Sequence, residues 1–541
     1  MSGEYPRPQM VRDQWWDLCG PWEYAVTPAD DVPSRWDGKI EVPYSPEAPA
    51  SGVGRRIGPE DRLWYRRRAD FSDAPGRVLL HFGAVDQRAR VWINGVEAGS
   101  HTGGYTPFSL DITDLLDGDR TGEILVLVRD GTDTVPLARG KQRTDRGGIW
   151  YTPQSGIWQP VWAEAVPAEH IRSLRITPDL DSGTVRIEAD PGGTVWFQGR
   201  DYPCPAVVPV PEPVPWSPER PTLYDFSVTL GQDRVESYFA MRRFSVEGGR
   251  LCLNGEPYFH NGVLDQGYNP RGLYTWPSDQ AMVDDILLAK SLGFNTIRKH
   301  VKVEPLRWYY HCDRLGMLVW QDMPNGGGRY DPLVIQGPVT GLGGRGDDRR
   351  HARFGRGDAA GREQFIRELD EMIDTLYNCP CIALWVPFNE GWGQFDAARV
   401  REHIQALDPT RTVDHASGWH DQGGGQVQSL HVYFRPYRYR PDRDGRAVLL
   451  TEFGGYNLRV PGHTFNEKDF GYSRCADGAE LLEKLRKLYE TQIGPAKKAG
   501  LAAAIYTQLT DVEDELNGFV TYDRQAVKLP PEQVRQIIGG I

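Results

Sequence analysis

No run in the 541 residues approaches the ~18 apolar residues of a membrane-crossing helix. The opening stretch, MSGEYPRPQMVRDQWW, also lacks the apolar segment of a signal peptide. Both absences lead to the expectation of a cytoplasmic protein with no membrane partner, acting on a substrate small enough to enter the cell. Basic residues are in deficit, with 62 Lys and Arg against 74 Asp and Glu and a net charge of −12. Such a surface has no electrostatic pull towards nucleic acid or anionic lipid. The short basic run Arg66-Arg67-Arg68 reads as a solvated face. Cysteines are few and odd in number, seven between Cys19 and Cys475, which fits reduced thiols rather than a disulfide framework. The one close pair, Cys379-Pro380-Cys381, has no second ligand pair to complete a zinc site and reads as two small core residues entering a strand. No metal and no cofactor are expected.

What is present is material for large cores: 39% hydrophobic and 11% aromatic residues, with 60 Gly and 41 Pro marking many turns. That combination indicates a loop-rich β or α/β protein rather than disorder. The length corresponds to about three domains. Residues 1–164 carry short β-branched segments such as RVLLHFGAV and GEILVLVRD, punctuated by Gly, Asp and Asn. Beyond a short turn near 112–116 no helical period persists, so a jelly-roll β-sandwich is expected there. Residues 165–243 repeat the pattern on a smaller scale, as an immunoglobulin-like sandwich would. Their proline-rich stretch 203–221 cannot donate the bonds of a central strand and is expected at an edge or in a loop.

From 244 to 541 strands alternate with helices. Expected strands are 257–264, 294–299, 317–322, 381–390, 412–417, 429–433, 447–453 and 501–509, with helices between several of them, the last over 479–498. Eight strands over about 290 residues match a (β/α)8 barrel. The Gly/Arg-rich segment 325–360 is too long for an ordinary βα loop and is either a lid over substrate or a mobile surface insertion.

Barrel enzymes place their sites at the C-terminal ends of the strands. Strand four ends in Pro387-Phe388-Asn389-Glu390 and strand seven in Thr451-Glu452-Phe453-Gly454, each after an apolar run. Carboxyls on facing strands can approach the ~5–5.5 Å of a retaining glycosidase, against ~6.5–9.5 Å for an inverting one. One must be protonated and the other ionised, which requires unlike surroundings.

The segments LWVPFNEGWGQFD and LLTEFGG closely resemble the acid/base and nucleophile segments of glycoside hydrolase family 2, which includes β-galactosidases, β-glucuronidases and β-mannosidases. FGAVDQRARVWINGVEAGSHTGGYTPFSLDIT and SGIWQPVW are similar to the family's N-terminal jelly roll, PWSPERPTLYDFSV to its central domain, and GFNTIRKHVKVEPLRWYYHCDRLGMLVWQD to barrel strands two and three. The resemblance implies that Glu390 is the general acid/base and Glu452 the nucleophile. It implies that Asn389 bonds the sugar 2-hydroxyl, that Tyr433 orients the nucleophile and that Arg298 keeps it ionised. His300, His431, Asp265, Asp322 and Trp419, all at or beyond strand ends, are further substrate-binding candidates. Trp392 either lines the leaving-group site or packs in the core.

An exo-acting retaining glycosidase of β-galactosidase type, acting on small glycosides or oligosaccharides, is the expected function; glucuronide, mannoside or arabinoside specificity is the alternative. The family resemblance also makes a homo-dimer or tetramer plausible. The chain reads Tyr506-Thr507-Gln508 where the best-known β-galactosidases have a strand-end Trp, and the Asn-Lys signature of β-glucuronidases is not evident. A non-catalytic carbohydrate-binding protein would be expected to have lost a carboxylate, and both are retained. A metal-dependent hydrolase would need a pair such as His-x-His at strand one, which reads Phe259-His260-Asn261-Gly262.

Overall fold

Short β-branched segments can satisfy their backbone groups only by pairing with one another, and in the first third of the chain they form antiparallel sheets. The computed structural model describes residues 4–340 and 345–541. A six-stranded sheet containing Arg62–Asp70 and Thr121–Arg129 packs on a four-stranded sheet containing Arg77–Phe82 and Val161–Val166. Leu63, Tyr65, Val78, Leu80 and Val126 fill the core between them. Within the basic run Arg67 departs from the solvated face: it folds back to donate to the carbonyls of Leu18 and Cys19 at 2.8 and 2.9 Å.

A second, smaller sandwich follows, with sheets of three and four strands between Ser173 and Phe239 closing on Val185, Ile187, Val195 and Phe226. The proline-rich region contributes the edge strands Arg200–Pro203 and Ala206–Pro209, where one row of donors suffices, before it leaves as a loop.

The last part is a barrel of eight parallel strands. In order they are His260–Asp265, Thr296–Lys299, Leu318–Asp322, Ile382–Val386, Thr412–Val413, Val427–Val432, Ala447–Gly454 and Ala503–Thr507. Neighbours pair in sequence order and strand eight pairs with strand one, leaving a gap only between strands five and six. Strands three, four and seven are buried at every position, as strands covered on both faces must be. Cys379 and Cys381 sit in this core as free thiols. Helices are capped where side chains allow: Ser278 accepts from the Ala281 amide at 3.2 Å and Asp358 from the Gly361 amide at 2.7 Å.

Strand four ends at Val386 rather than Glu390, strand eight is Ala503–Thr507 rather than 501–509, and three further elements differ from the sequence reading. Strand one starts only at His260, because Glu256–Pro257 turns back to pair with Arg250–Leu253. Strand five is two residues long, as the chain bends away at Asp414. The helix expected over 479–498 is Gly478–Leu488, then a wide π turn Tyr489–Ile493, then Gly494–Ala499. Pro495 has no N–H to continue the ladder, which is the physical reason for the break.

Residues 341–344 of the long insertion lie outside the described residues. Its described flanks are anchored. Arg356 is buried and donates to the carbonyls of Gly393 and Pro136, both at 3.0 Å. Arg139, from the first sandwich, donates to the Gly327 carbonyl at 2.6 Å. Asp348 accepts from Gln394 Nε2 at 3.0 Å and the Ala397 amide at 2.9 Å. These contacts tie the insertion both to the segment after strand four and to the sandwich.

Candidate functional site at the barrel mouth

Strand pleating sorts the end of strand two into two clusters, since successive side chains point to opposite faces. Arg298 turns one way and Lys299 the other. Lys299 reaches Asp265 at 2.5 Å and Glu304 at 2.7 Å. Asp265 also accepts from the Gly267 amide at 2.9 Å. Among the sequence candidates Asp265 therefore stands apart, engaged in a buried ion cluster next to the site rather than in it.

Arg298 is the hub of the other cluster and is fully buried. Its Nε and Nη2 lie 3.0 Å from the two oxygens of Asp322, a bidentate fork. Nη2 also donates to Asn389 Oδ1 at 2.8 Å, and Nη1 to the Thr451 carbonyl and Glu452 Oε1, both at 3.2 Å. Burial alone would lower the guanidinium pKa, but Asp322 and Glu452 outweigh it and hold the charge in place. His300 Nδ1 lies 2.7 Å from Asp322 Oδ2, and burial pushes its pKa well down. Asp322 thus fixes Arg298, and His300 Nδ1 rests against Asp322.

Glu390 sits just beyond strand four with a left-handed backbone, φ 51°. A non-glycine residue there stores strain of about 1–3 kcal/mol and persists only where its surroundings over-determine it. The Glu390 amide donates to the Ser417 carbonyl at 2.9 Å, and Trp419 Nε1 donates to the Glu390 carbonyl at 3.1 Å. The Trp419 ring meets His431 edge-on at 5.4 Å. Asn389, immediately before, is 1% exposed, and its Nδ2 donor has no partner among the described residues.

His431, from strand six, bridges the two glutamates. Its Nδ1 is 2.8 Å from Glu390 Oε1 and 3.6 Å from Glu452 Oε2. Nε2 lies 3.2 Å from the Ser417 hydroxyl and 3.5 Å from Arg298 Nη1. Glu390 Oε1 is thus the oxygen turned towards His431. Tyr433 donates its hydroxyl to Glu452 Oε2 and shares it with Thr507 at 2.9 Å, while its ring stacks on Tyr472 at 3.8 Å.

One oxygen of Glu390, one oxygen of Glu452 and one nitrogen of His431 lie within 4.8 Å of one another. Three such groups could bracket a cation, but the guanidinium against Glu452 already fills that role and would repel a second positive charge. The two carboxyls live in unlike fields. Burial, with Glu452 nearby, raises the Glu390 pKa even though His431 works against it. Burial would raise Glu452 too, but His431 and Arg298 outweigh it and bring it to about 2. The two carboxyls are thus shifted in opposite directions, Glu390 up and Glu452 down.

Of the sequence candidates, the structure gathers Glu390, Glu452, Arg298, His300, Asp322, Asn389, Trp419, His431 and Tyr433 into one network. Trp392 packs at the mouth, 4% exposed and tilted against Trp150 at 5.1 Å. Sequence reading passed over Tyr472, which stacks under Tyr433, and the whole sandwich segment 130–155, which runs to the mouth. There Arg146 pairs with Glu513 and Asp514, and Tyr151 with Glu515, all beyond strand eight. Lys141 on that segment places its charge near both glutamates. Nothing in the local sequence marks it, because its relation to the site exists only through the packing of two domains.

Residues 244–444 match the family model described as glycosyl hydrolases family 2, TIM barrel domain, and residues 194–242 match the model described as glycosyl hydrolases family 2. A putative β-glucuronidase of Formosa agariphila is 25% identical over 394 residues, 66% of this chain and 42% of that protein. A β-galactosidase of Klebsiella pneumoniae is 26% identical over 425 residues, 70% of this chain and 37% of that protein. The chain thus spans about two fifths of the length of these curated relatives. Among solved structures, the β-D-glucuronidase of Dictyoglomus thermophilum superposes with TM-score 0.75 at 18% identity, covering 99% of both chains. A β-galacturonidase of Eisenbergiella tayi bound to galacturonate gives 0.74 at 20% identity, again with 99% of both chains covered. Those likenesses establish the shared fold. Two successive stretches of this chain, within residues 194–444, thus carry the description of glycoside hydrolase family 2, on an architecture shared with these solved structures.

Proposed function

We propose that this protein is an exo-acting retaining glycosidase that removes a terminal sugar by double displacement. The observation that carries the reading is the carboxyl pair: oxygens of Glu390 and Glu452 within 4.8 Å, the first raised in pKa and the second lowered. Carboxyl oxygens that close support direct attack on the anomeric carbon, as in the narrower spacing of a retaining enzyme. Glu452 attacks, its oxygen bonding the anomeric carbon as the glycosidic bond breaks, and Glu390 protonates the departing oxygen. Glu390 then takes a proton from water as that water displaces Glu452. The unpaired Nδ2 of Asn389 supports a bond to the sugar 2-hydroxyl. The depth of the pair, behind sandwich and insertion, supports a pocket for a chain end.

A galactoside is the first substrate to try, with a glucuronide next; relatives bearing both names support each. The decisive measurement is proton NMR of the first product formed. The anomeric configuration should be retained, and an inverted first product would sink the mechanism. A second measurement concerns Tyr433. A hydrogen bond to a charged group contributes about 1.5–3 kcal/mol, so Tyr433→Phe should lower kcat/KM by roughly 10- to 100-fold. An unchanged kcat/KM would remove Tyr433 from the machinery.

A further inference from the structure

Most buried cations of this protein are held by acceptors of its own. Arg298 has Asp322 and Glu452, Lys299 has Asp265 and Glu304, Lys302 has the carbonyls of Gly267 and Tyr274, and Lys528 has Asp511. Lys141 does not follow this pattern. Its side chain is 7% exposed, and among the described residues its ammonium donates no hydrogen bond. The nearest carboxylate oxygen, Glu515 Oε2, is 3.9 Å away and already accepts from the Tyr151 hydroxyl. The other oxygen of Glu515 accepts from Asn517 at 3.1 Å. The rings of Tyr151 and Trp392, at 5.6 and 5.9 Å, attract the charge but leave its donors unmet. A largely buried side chain whose ammonium has donors to spare is available to an acceptor that enters beside it.

Lys141 is also fixed in position. A side-chain carbon at Gly140 would lie 2.1 Å from the Tyr274 hydroxyl and 2.9 Å from the Val301 carbonyl, so the segment lies flush on the barrel just past His300. The Lys141 carbonyl accepts from the Tyr151 amide at 2.8 Å, and Gln142 anchors to the Tyr105 hydroxyl at 2.8 Å. The charge of Lys141 is felt at Glu390, Glu452 and His300.

We propose that Lys141 is a substrate-contacting residue whose ammonium donates to an oxygen of the sugar held beside Glu390 and Glu452, so that the N-terminal sandwich supplies part of the specificity. The inference rests on the reading of those glutamates as the catalytic pair. A sugar hydroxyl and a sugar carboxylate offer the same acceptor chemistry, and the choice of substrates separates them.

The test compares wild type with Lys141→Met, which keeps the aliphatic stem on Trp392 and Tyr151. The substrates are the p-nitrophenyl glycoside that wild type cleaves fastest, its monodeoxy analogues, and the matching uronide or neutral hexoside. Lys141→Met should lower kcat/KM on the parent by about 30-fold or more, as expected for losing a bond from a charged donor. It should also fail to distinguish the parent from the one analogue that lacks the contacted oxygen. A loss confined to uronides identifies a carboxylate; a loss shared by neutral sugars identifies a hydroxyl. Activity within about threefold of wild type on the parent, or an equal loss on every substrate, overturns the proposal. Should Lys141→Met fail to fold, Lys141→Arg, which keeps charge and donors, takes its place and should shift the preference among the analogues; an unshifted preference counts against the contact. If wild type cleaves no glycoside, the proposed function fails, and calorimetry with galactose and galacturonate still decides on Lys141. Weaker binding of either sugar by the variant supports the contact, whereas equal affinity, or no binding to either protein, overturns it.

Discussion

Replacing Glu452 by Gln is expected to leave a folded protein with turnover reduced on the order of 10⁴-fold or more, the scale on which loss of a nucleophile acts. The amide has the shape of the carboxylate, its oxygen still accepts from Arg298, and the Tyr433 hydroxyl can rotate to accept where it now donates. What disappears is the negative oxygen that must bond the anomeric carbon. Circular dichroism and a thermal scan should match wild type, and hydrolysis of any p-nitrophenyl glycoside should not. A 2-deoxy-2-fluoro glycoside should add its sugar mass to the peptide containing Glu452 in wild type only. Near-full activity in the variant, or a label on another residue, would overturn the assignment. Absence of any label in an active wild type would do the same.

Glu390→Ala should show a different pattern, because an acid is needed only as far as the leaving group needs a proton. On an alkyl glycoside the loss should be about 10²–10⁴-fold, the usual contribution of general acid catalysis. On a dinitrophenyl glycoside, whose anion departs unaided, the first step should be nearly spared. Azide should restore turnover and leave as the glycosyl azide, since it attacks the glycosyl-enzyme without giving up a proton.

The pH profile carries the same assignment. In wild type the acidic limb of kcat/KM follows protonation of Glu452, whose pKa burial raises but His431 and Arg298 pull well below the ordinary carboxylate range. The alkaline limb follows deprotonation of Glu390, whose pKa burial and Glu452 push above that range. As pH rises through the Glu390 value the acid is lost and the rate falls; as pH falls towards the Glu452 value the nucleophile is neutralised. Glu390→Ala should abolish the alkaline limb and keep the acidic one. An alkaline limb that survives the substitution, with no azide product, would remove Glu390 from the acid/base role.

Much of this was legible in the sequence because barrels and strand ends leave local marks. An apolar run followed by Asn389-Glu390 or Thr451-Glu452 states both burial and emergence at a rim. The barrel strands were found by the same logic, except where a run carried no information on where pairing stops, as at Thr412–Val413. Asp265 shows the limit of reading strand ends alone. It ends a strand as Asp322 does, yet its parallel register places it against Lys299 rather than Arg298 on strand two, so it joins a different cluster. The wide turn near Tyr489 was foreshadowed by Pro495, whose effect reaches a full turn back towards the helix start. The sandwich residues at the mouth had no mark at all, since a lysine in a loop reads the same whether it faces solvent or a buried pair of glutamates.

Arg146 gripping Glu513 and Asp514, and Arg356 gripping the Pro136 carbonyl, make the mouth a joint product of two stretches hundreds of residues apart. A crossover in the linkers between sandwich and barrel would separate halves that have been fitted to each other. Exchange between relatives should therefore succeed when both halves travel as one inherited block, and a change in the length of a sandwich loop should be felt at the bond being broken.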